Sequence, residues 1–152
     1  MRITILTLLV TISTLASAAD EKLKKIYIGF ESVYMNNDAD GFLALLDKSY
    51  EIKQTLHIPG VGADYRPVTK EQLIASMRRV GKPSSFPRSK MLDVTIEIKS
   101  ENDFCGSSST LKQTKVRGKD YEEKENRKVC FRKEGDKYLA VEHTIDVYFT
   151  EM

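Results

Sequence analysis

Four long strand-like segments fill the end of the chain and constrain its fold more than any other feature. Leu92, Val94, Ile96 and Ile98 alternate with Asp93, Thr95, Glu97 and Lys99, the period-two pattern of a strand with one buried face. Ser108 to Val116 and Tyr121 to Lys133 flank Arg117-Gly118-Lys119-Asp120, and Glu134-Gly135-Asp136 precedes Tyr138 to Phe149; a glycine at each tip suits a hairpin. The chain therefore ends in an antiparallel meander, and its apolar face needs a cover.

The cover comes from the first half. Leu23, Ile26, Tyr27, Phe30, Val33 and Tyr34 recur at spacings of three and four between Asp20 and Tyr34, which predicts a helix with Glu21, Lys22, Lys24, Lys25 and Glu31 mostly turned outward. Asn36 to Gly41 forms a turn in which Asp38 or Asp40 caps a second helix carrying Phe42, Leu45 and Leu46 and ending near Lys48. Tyr50 to Leu56 alternates as a strand, and a glycine-rich loop runs from His57 to Pro67, an ordinary surface loop or a lid over a pocket mouth. Thr69-Lys70-Glu71-Gln72 fits a capping box ahead of a third helix with Leu73, Ile74, Met77 and Val80, stopped by Gly81 and Pro83.

The first 18 of the 152 residues read as a secretory signal. Arg2 gives a basic start, Ile3 to Leu15 is apolar, and Ala16-Ser17-Ala18 is an A-x-A cleavage site. Residues 19–152 then form one domain, secreted or periplasmic, without the roughly 20 apolar residues a membrane-spanning helix needs. Arg2 is the only charged residue before Ala19, so the remainder sets 22 acidic side chains against one fewer than the chain's 24 basic ones. Near-neutrality and export argue against a nucleic-acid partner. Export also predicts a disulfide between the only two cysteines, Cys105 and Cys130. If the hairpin pairs Val116 with Tyr121, Ser107 faces Cys130 and Cys105 is a diagonal neighbour, within reach if Gly106 bends the strand.

The order helix, helix, strand, loop, helix, long strands describes an α+β cone, with N-terminal helices on a curved antiparallel sheet. In Asn37 to Leu46, the helix after Thr69 and the ending Lys133 to Thr144, the chain resembles the nuclear transport factor 2-like (SnoaL-like) superfamily across Asp20 to Phe149. Tyr138 stands where many members carry Trp. The resemblance implies a pocket between sheet and helices, and often a homodimer. Its members include dehydratases, isomerases, ligand carriers and protein-binding modules.

Among candidate site residues, His143 shares a strand face with Leu139, Val141, Ile145 and Val147, a single titratable group on an apolar stripe. Tyr27, Tyr50 and Gln113 are the nearest candidates to line a pocket with it, and Lys115 and Tyr65 are further possible partners. With few paired acid-base groups in view, the chain reads as a binding protein for a small apolar ligand or another exported protein. A dehydratase- or isomerase-type enzyme with His143 as general base is the alternative, and an inhibitor- or immunity-type partner of a secreted enzyme a third. Asn36, Asp38, Asp40 and Asp47 imitate a calcium loop with a short twelfth ligand, which helix capping explains as well. No cysteine-histidine set offers a metal site, and no cofactor is expected. Arg78, Arg79, Lys82, Arg88 and Lys90 form a basic patch that an acidic partner would match.

Overall fold

The computed structural model describes residues 4–81, 91–116 and 118–152. Its elements are α1 (Thr4–Met35), α2 (Ala39–Leu43), β1 (Leu46–Ile58), β2 (Gly62–Val68), α3 (Lys70–Val80), β3 (Leu92–Ile98), β4 (Asp103–Val116), β5 (Lys119–Glu134) and β6 (Lys137–Glu151). The strands form one six-stranded sheet in the order β2-β1-β6-β5-β4-β3. The helices cover its concave face, as the amphipathic patterns predict. No helix among the described residues is long and apolar enough to cross a membrane.

Both predicted helix starts are built as expected. Asp38 accepts the Gly41 amide at 3.3 Å, and Thr69 and Gln72 exchange the reciprocal bonds of a capping box at 3.1 and 3.0 Å. The second helix is shorter than its apolar residues suggest. The Ala140 amide donates to the Leu45 carbonyl at 2.8 Å, which draws the chain into the sheet so that Leu46 already pairs with Ala140. β1 runs parallel to β6, so the sheet is mixed rather than wholly antiparallel. The glycine-rich stretch that reads as a surface loop or lid is instead the β1–β2 hairpin, with Ile58 paired to Gly62 and Thr55 to Tyr65. β2 is an exposed edge strand, a position where a proline such as Pro67 is tolerated.

The β4–β5 hairpin closes more tightly than four turn residues would allow. Val116 pairs with Lys119, and Gly118 takes a φ of 84° that an L side chain resists. This register sets Cys105 directly opposite Cys130, and the two form a disulfide without the bend at Gly106 that a diagonal pair requires. A second shift occurs across β5 and β6, where Cys130 pairs with Glu142 but Phe131 pairs with Ala140. Val141 is the extra residue of a bulge. Ala140, not Leu139 or Val141, therefore shares the buried face with His143, Ile145 and Val147.

The core lies between α1, α2, α3 and the concave face. Phe30 meets Phe42 and Phe131 with ring centroids 5.1 and 5.4 Å apart, and Phe104 stacks on Phe131 at 4.7 Å. α1 lies directly on the backbone of β4 at Gly106, where a Cβ would stand 2.2 Å from the Tyr27 ring. Glycine is required there by close approach, not by backbone angle. Gly106→Ala should destabilise the fold by about 1–3 kcal/mol, the usual cost of forcing a methyl into a packed core. Urea unfolding checks it, and an unchanged midpoint would contradict the packing.

Candidate functional site

Four elements, α1, β1, β5 and β6, bring ionisable groups to one end of the concave face. α1 presents Tyr27, Phe30, Glu31 and Tyr34 as a single stripe at spacings of three and four. In the sheet, His143 pairs with Val129 on one side and Ile52 on the other. Residues two apart share a face, so Arg127 and Tyr50 point to the same side as His143. Glu31 and His143 are fully buried and Arg127 is 7% exposed.

Arg127 is the hub. Its Nη1 donates to Glu31 Oε2 at 2.7 Å, while Nη2 and Nε donate to the two oxygens of Glu125 at 2.9 and 3.1 Å. The guanidinium also lies 5.2 Å from the Tyr34 ring centroid, within cation–π range. Burial opposes the charge of Arg127, but the Glu125 bonds and the charges of both carboxylates outweigh it and hold its pKa above the ordinary value. Burial also pushes the Glu31 carboxyl upward, against the pull of Arg127.

His143 sits one step further along the same face. Tyr50 Oη lies 3.1 Å from its Nδ1, and the edges of Phe30 and Tyr34 enclose the ring at 5.7 and 5.1 Å between centroids. Burial first, and the charge of Arg127 second, lower its pKa to about 3, so the imidazole is neutral. Burial raises the Tyr50 hydroxyl far above the usual phenol range, with Tyr34 and Glu31 adding to it. A phenol that stays protonated gives its hydrogen to Nδ1, which assigns the ring proton to Nε2. That nitrogen faces Glu31 Oε1 across 3.9 Å, and neither atom has a hydrogen-bond partner. Tyr27 extends the polar line, its hydroxyl 2.7 Å from Ser108 Oγ.

No family model matches the sequence, and no curated protein matches it significantly. Solved structures do match. The association domain of C. elegans calcium/calmodulin-dependent kinase II aligns with a TM-score of 0.57 at 16% identity, over 85% of this chain and 95% of that one. A nuclear transport factor 2-like protein with a cystatin-like fold from Novosphingobium aromaticivorans gives 0.54 at 9% identity, covering 90% and 87%. A type 2 hexachlorocyclohexane dehydrochlorinase gives 0.54 at 11%, covering 93% of each chain. This chain has the nuclear transport factor 2-like fold.

Within that cone, the sequence-predicted site is partly assembled. His143 and Tyr50 are in direct contact, and Tyr27 lies on the same helix stripe as Glu31. Gln113 is exposed, five positions along β4 from Ser108 and so on the opposite face. Lys115 and Tyr65 are exposed as well. Arg78 and Arg79 end α3, where positive charge suits the helix dipole. Arg78 is already paired with Asp40 at 2.9 Å. Lys82, Arg88 and Lys90 lie outside the described residues. In the calcium-like loop Asp38 is a helix cap, Asp40 faces Arg78, and Asp47 accepts from the amide and hydroxyl of Ser49 at 2.7 and 2.6 Å. Among the described residues no cluster of three His, Cys, Asp or Glu side chains could hold a metal ion.

Glu31, Tyr34, Glu125 and Arg127 are the site residues that sequence reasoning missed. The signal for Glu31 was its spacing, four after Tyr27 and three before Tyr34, inside the apolar stripe rather than opposite it. Arg127 was marked by its place two positions before the buried Val129. Open clefts flank the cone among the described residues. One of about 430 Å³ is walled by Tyr50, Ile52, Tyr65 and Val68. Another, of about 360 Å³, lies over Ser107, Ser109, Asn126 and Thr144 on the helix-free face.

The lowered pKa of His143 has a definite sign in stability. Folding opposes its protonation, so its contribution is whole above the unfolded value of about 6.5 and is lost as pH falls toward about 3, by up to about 1.4 kcal/mol per unit. The raised Glu31 acts in the opposite sense, its contribution being lost as pH rises through the folded value. Replacing His143→Gln should therefore flatten the loss of stability between pH 6.5 and 5. Denaturation series at each pH would show this, and parallel slopes for the two proteins would refute the buried neutral imidazole.

Proposed function

We propose that the protein is exported, cleaved after Ala18, and binds a small ligand inside its cone. The observation that carries the reading is the facing pair Glu31 Oε1 and His143 Nε2, both fully buried and both unpartnered. Leaving two such atoms unpaired costs about 1–3 kcal/mol each, and a bound molecule with suitable polar groups recovers that cost. The Cys105–Cys130 bridge supports the compartment, because structural disulfides persist in oxidising surroundings.

An enzyme of the dehydratase or isomerase type is the second reading, favoured by the Tyr50 bond that orients His143 and by the carboxylate opposite it. A dehydrochlorinase stands among the fold neighbours. Against it, a base with a pKa of about 3 is too weak to abstract a proton efficiently near neutral pH. The ring is also closed off by Phe30 and Tyr34. The association domain among the neighbours supports a further element of the reading, that two copies of the chain pair.

The test is recovery of the protein from outside the cytosol under native conditions, followed by intact-mass and N-terminal analysis. The reading expects a chain beginning at Ala19 that releases one equivalent of a small molecule on denaturation. A chain retained in the cytosol with residues 1–18 attached would refute export. A ligand-free cone with a stoichiometric second protein would refute the small-ligand reading, and turnover of the released molecule by the refolded protein would establish the enzyme.

A further inference from the structure

The helix-free face of the sheet carries a second candidate site, outside the cone. Across β4, β5 and β6, Ser109, Asn126 and Asp146 pair side by side, and Ser107, Lys128 and Thr144 form the next row. All six line the open cleft of about 360 Å³. Ser108 turns the other way, to Tyr27, so its neighbours Ser107 and Ser109 face the cleft. Ser109 is only 8% exposed. Its hydroxyl, like the side chains of Ser107, Asn126 and Thr144, nevertheless has no hydrogen-bond partner among the described residues. A hydroxyl so enclosed costs stability unless something in the cleft bonds to it. β3 adds a wall. Leu92 pairs with Ser109 and Thr95 with Ser107, so β3 carries an extra residue there, a bulge with Asp93 at a φ of 53°. The bulge sets Asp93 among the residues that line the cleft.

The chemistry of the lining selects the ligand. Serine, threonine and asparagine side chains both donate and accept, and a hydroxyl is the ligand group that answers both. Lys124 and Lys128 are balanced by Asp93 and Asp146, while the Arg127 guanidinium is engaged by Glu31 and Glu125. The cleft therefore holds no excess charge to draw an ion. Its floor is a grid of polar groups on strands about 4.8 Å apart, which matches a molecule with several hydroxyls on one ring. Beside it stands Tyr148, the sheet neighbour of Lys124, 39% exposed and stacked on His57 at 4.1 Å between centroids. A ring held in place by that stack offers apolar surface to the C–H face of a sugar. The cleft lies near the small end of ligand sites, about 300–1,000 Å³, which suits a single sugar unit.

We infer that this cleft binds a neutral saccharide, one sugar ring lying over Ser107, Ser109, Asn126 and Thr144 beside Tyr148. Titration of the purified protein, followed through its assigned backbone amides by NMR, tests this with D-glucose, D-galactose and D-mannose, and with inorganic phosphate as the charged control. At least one hexose should shift the amides of Ser107, Ser109, Asn126 and Thr144 saturably, with a Kd on the order of 1 mM for so small a ligand. Asn126→Ala should weaken that binding about tenfold, the value of one good hydrogen bond, and phosphate should leave the amides in place. The titrations of the unaltered protein decide the matter even if the variant does not fold. Hexoses that move none of these amides overturn the inference, as does an equal response to phosphate. Shifts that follow protein concentration instead of sugar overturn it too, and mark the face as an interface between copies of the chain.

Discussion

Glu31 is a carboxylate with no exposed surface, and one guanidinium makes that possible. An isolated charge at such a position costs several kcal/mol of lost hydration, which only close pairing and hydrogen bonding offset. Arg127 supplies both, and it in turn is held by Glu125 at the margin of the cone, where that side chain is 14% exposed. The pair joins the helix that covers the sheet to the sheet's centre, so the position of α1 and the polarity of the cone's end are fixed together. His143 is neutral because of the same arrangement, since burial and the nearby Arg127 charge both act against a proton on the ring.

The two faces of the sheet differ in chemical character. The concave face carries aromatic side chains and the buried polar cluster. The helix-free face carries the Cys105–Cys130 bridge and a polar trough of serine, asparagine and threonine. Fold neighbours of this shape include a kinase association domain and a dehydrochlorinase, so the cone alone selects no activity. What distinguishes this chain is the particular set of groups on α1, β1, β5 and β6.

Much of the architecture is legible in the sequence because it rests on periodicity and capping. The alternation from Leu92 onward marks the strands, and the signatures at Asp38 and Thr69 mark helix starts. What escapes is whatever depends on pairing between distant segments. The hairpin register of β4 and β5 differs by two from a four-residue tip, and the bulge at Val141 moves Leu139 off the face that His143 occupies. Neither leaves a local trace, because both are settled by how neighbouring strands pack. The parallel pairing of β1 with β6 and the strand Gly62–Val68 are hidden for the same reason, since glycine and proline there resemble a loop. Glu31 is the instructive miss. Charge suggests solvent, while spacing places it inward, and the structure follows the spacing because a partner for the charge waits on β5.

A double-mutant cycle on Glu31→Gln and Arg127→Met, read by urea unfolding at neutral pH, tests this account most directly. Each single change strands a buried polar group and should cost about 3–5 kcal/mol, whereas the double change removes the charge pair together and should cost clearly less than the two combined, with a coupling of about 2 kcal/mol or more. Additivity to within about 0.5 kcal/mol would mean that the two side chains do not depend on each other, and the pair would not be what holds α1 to the sheet.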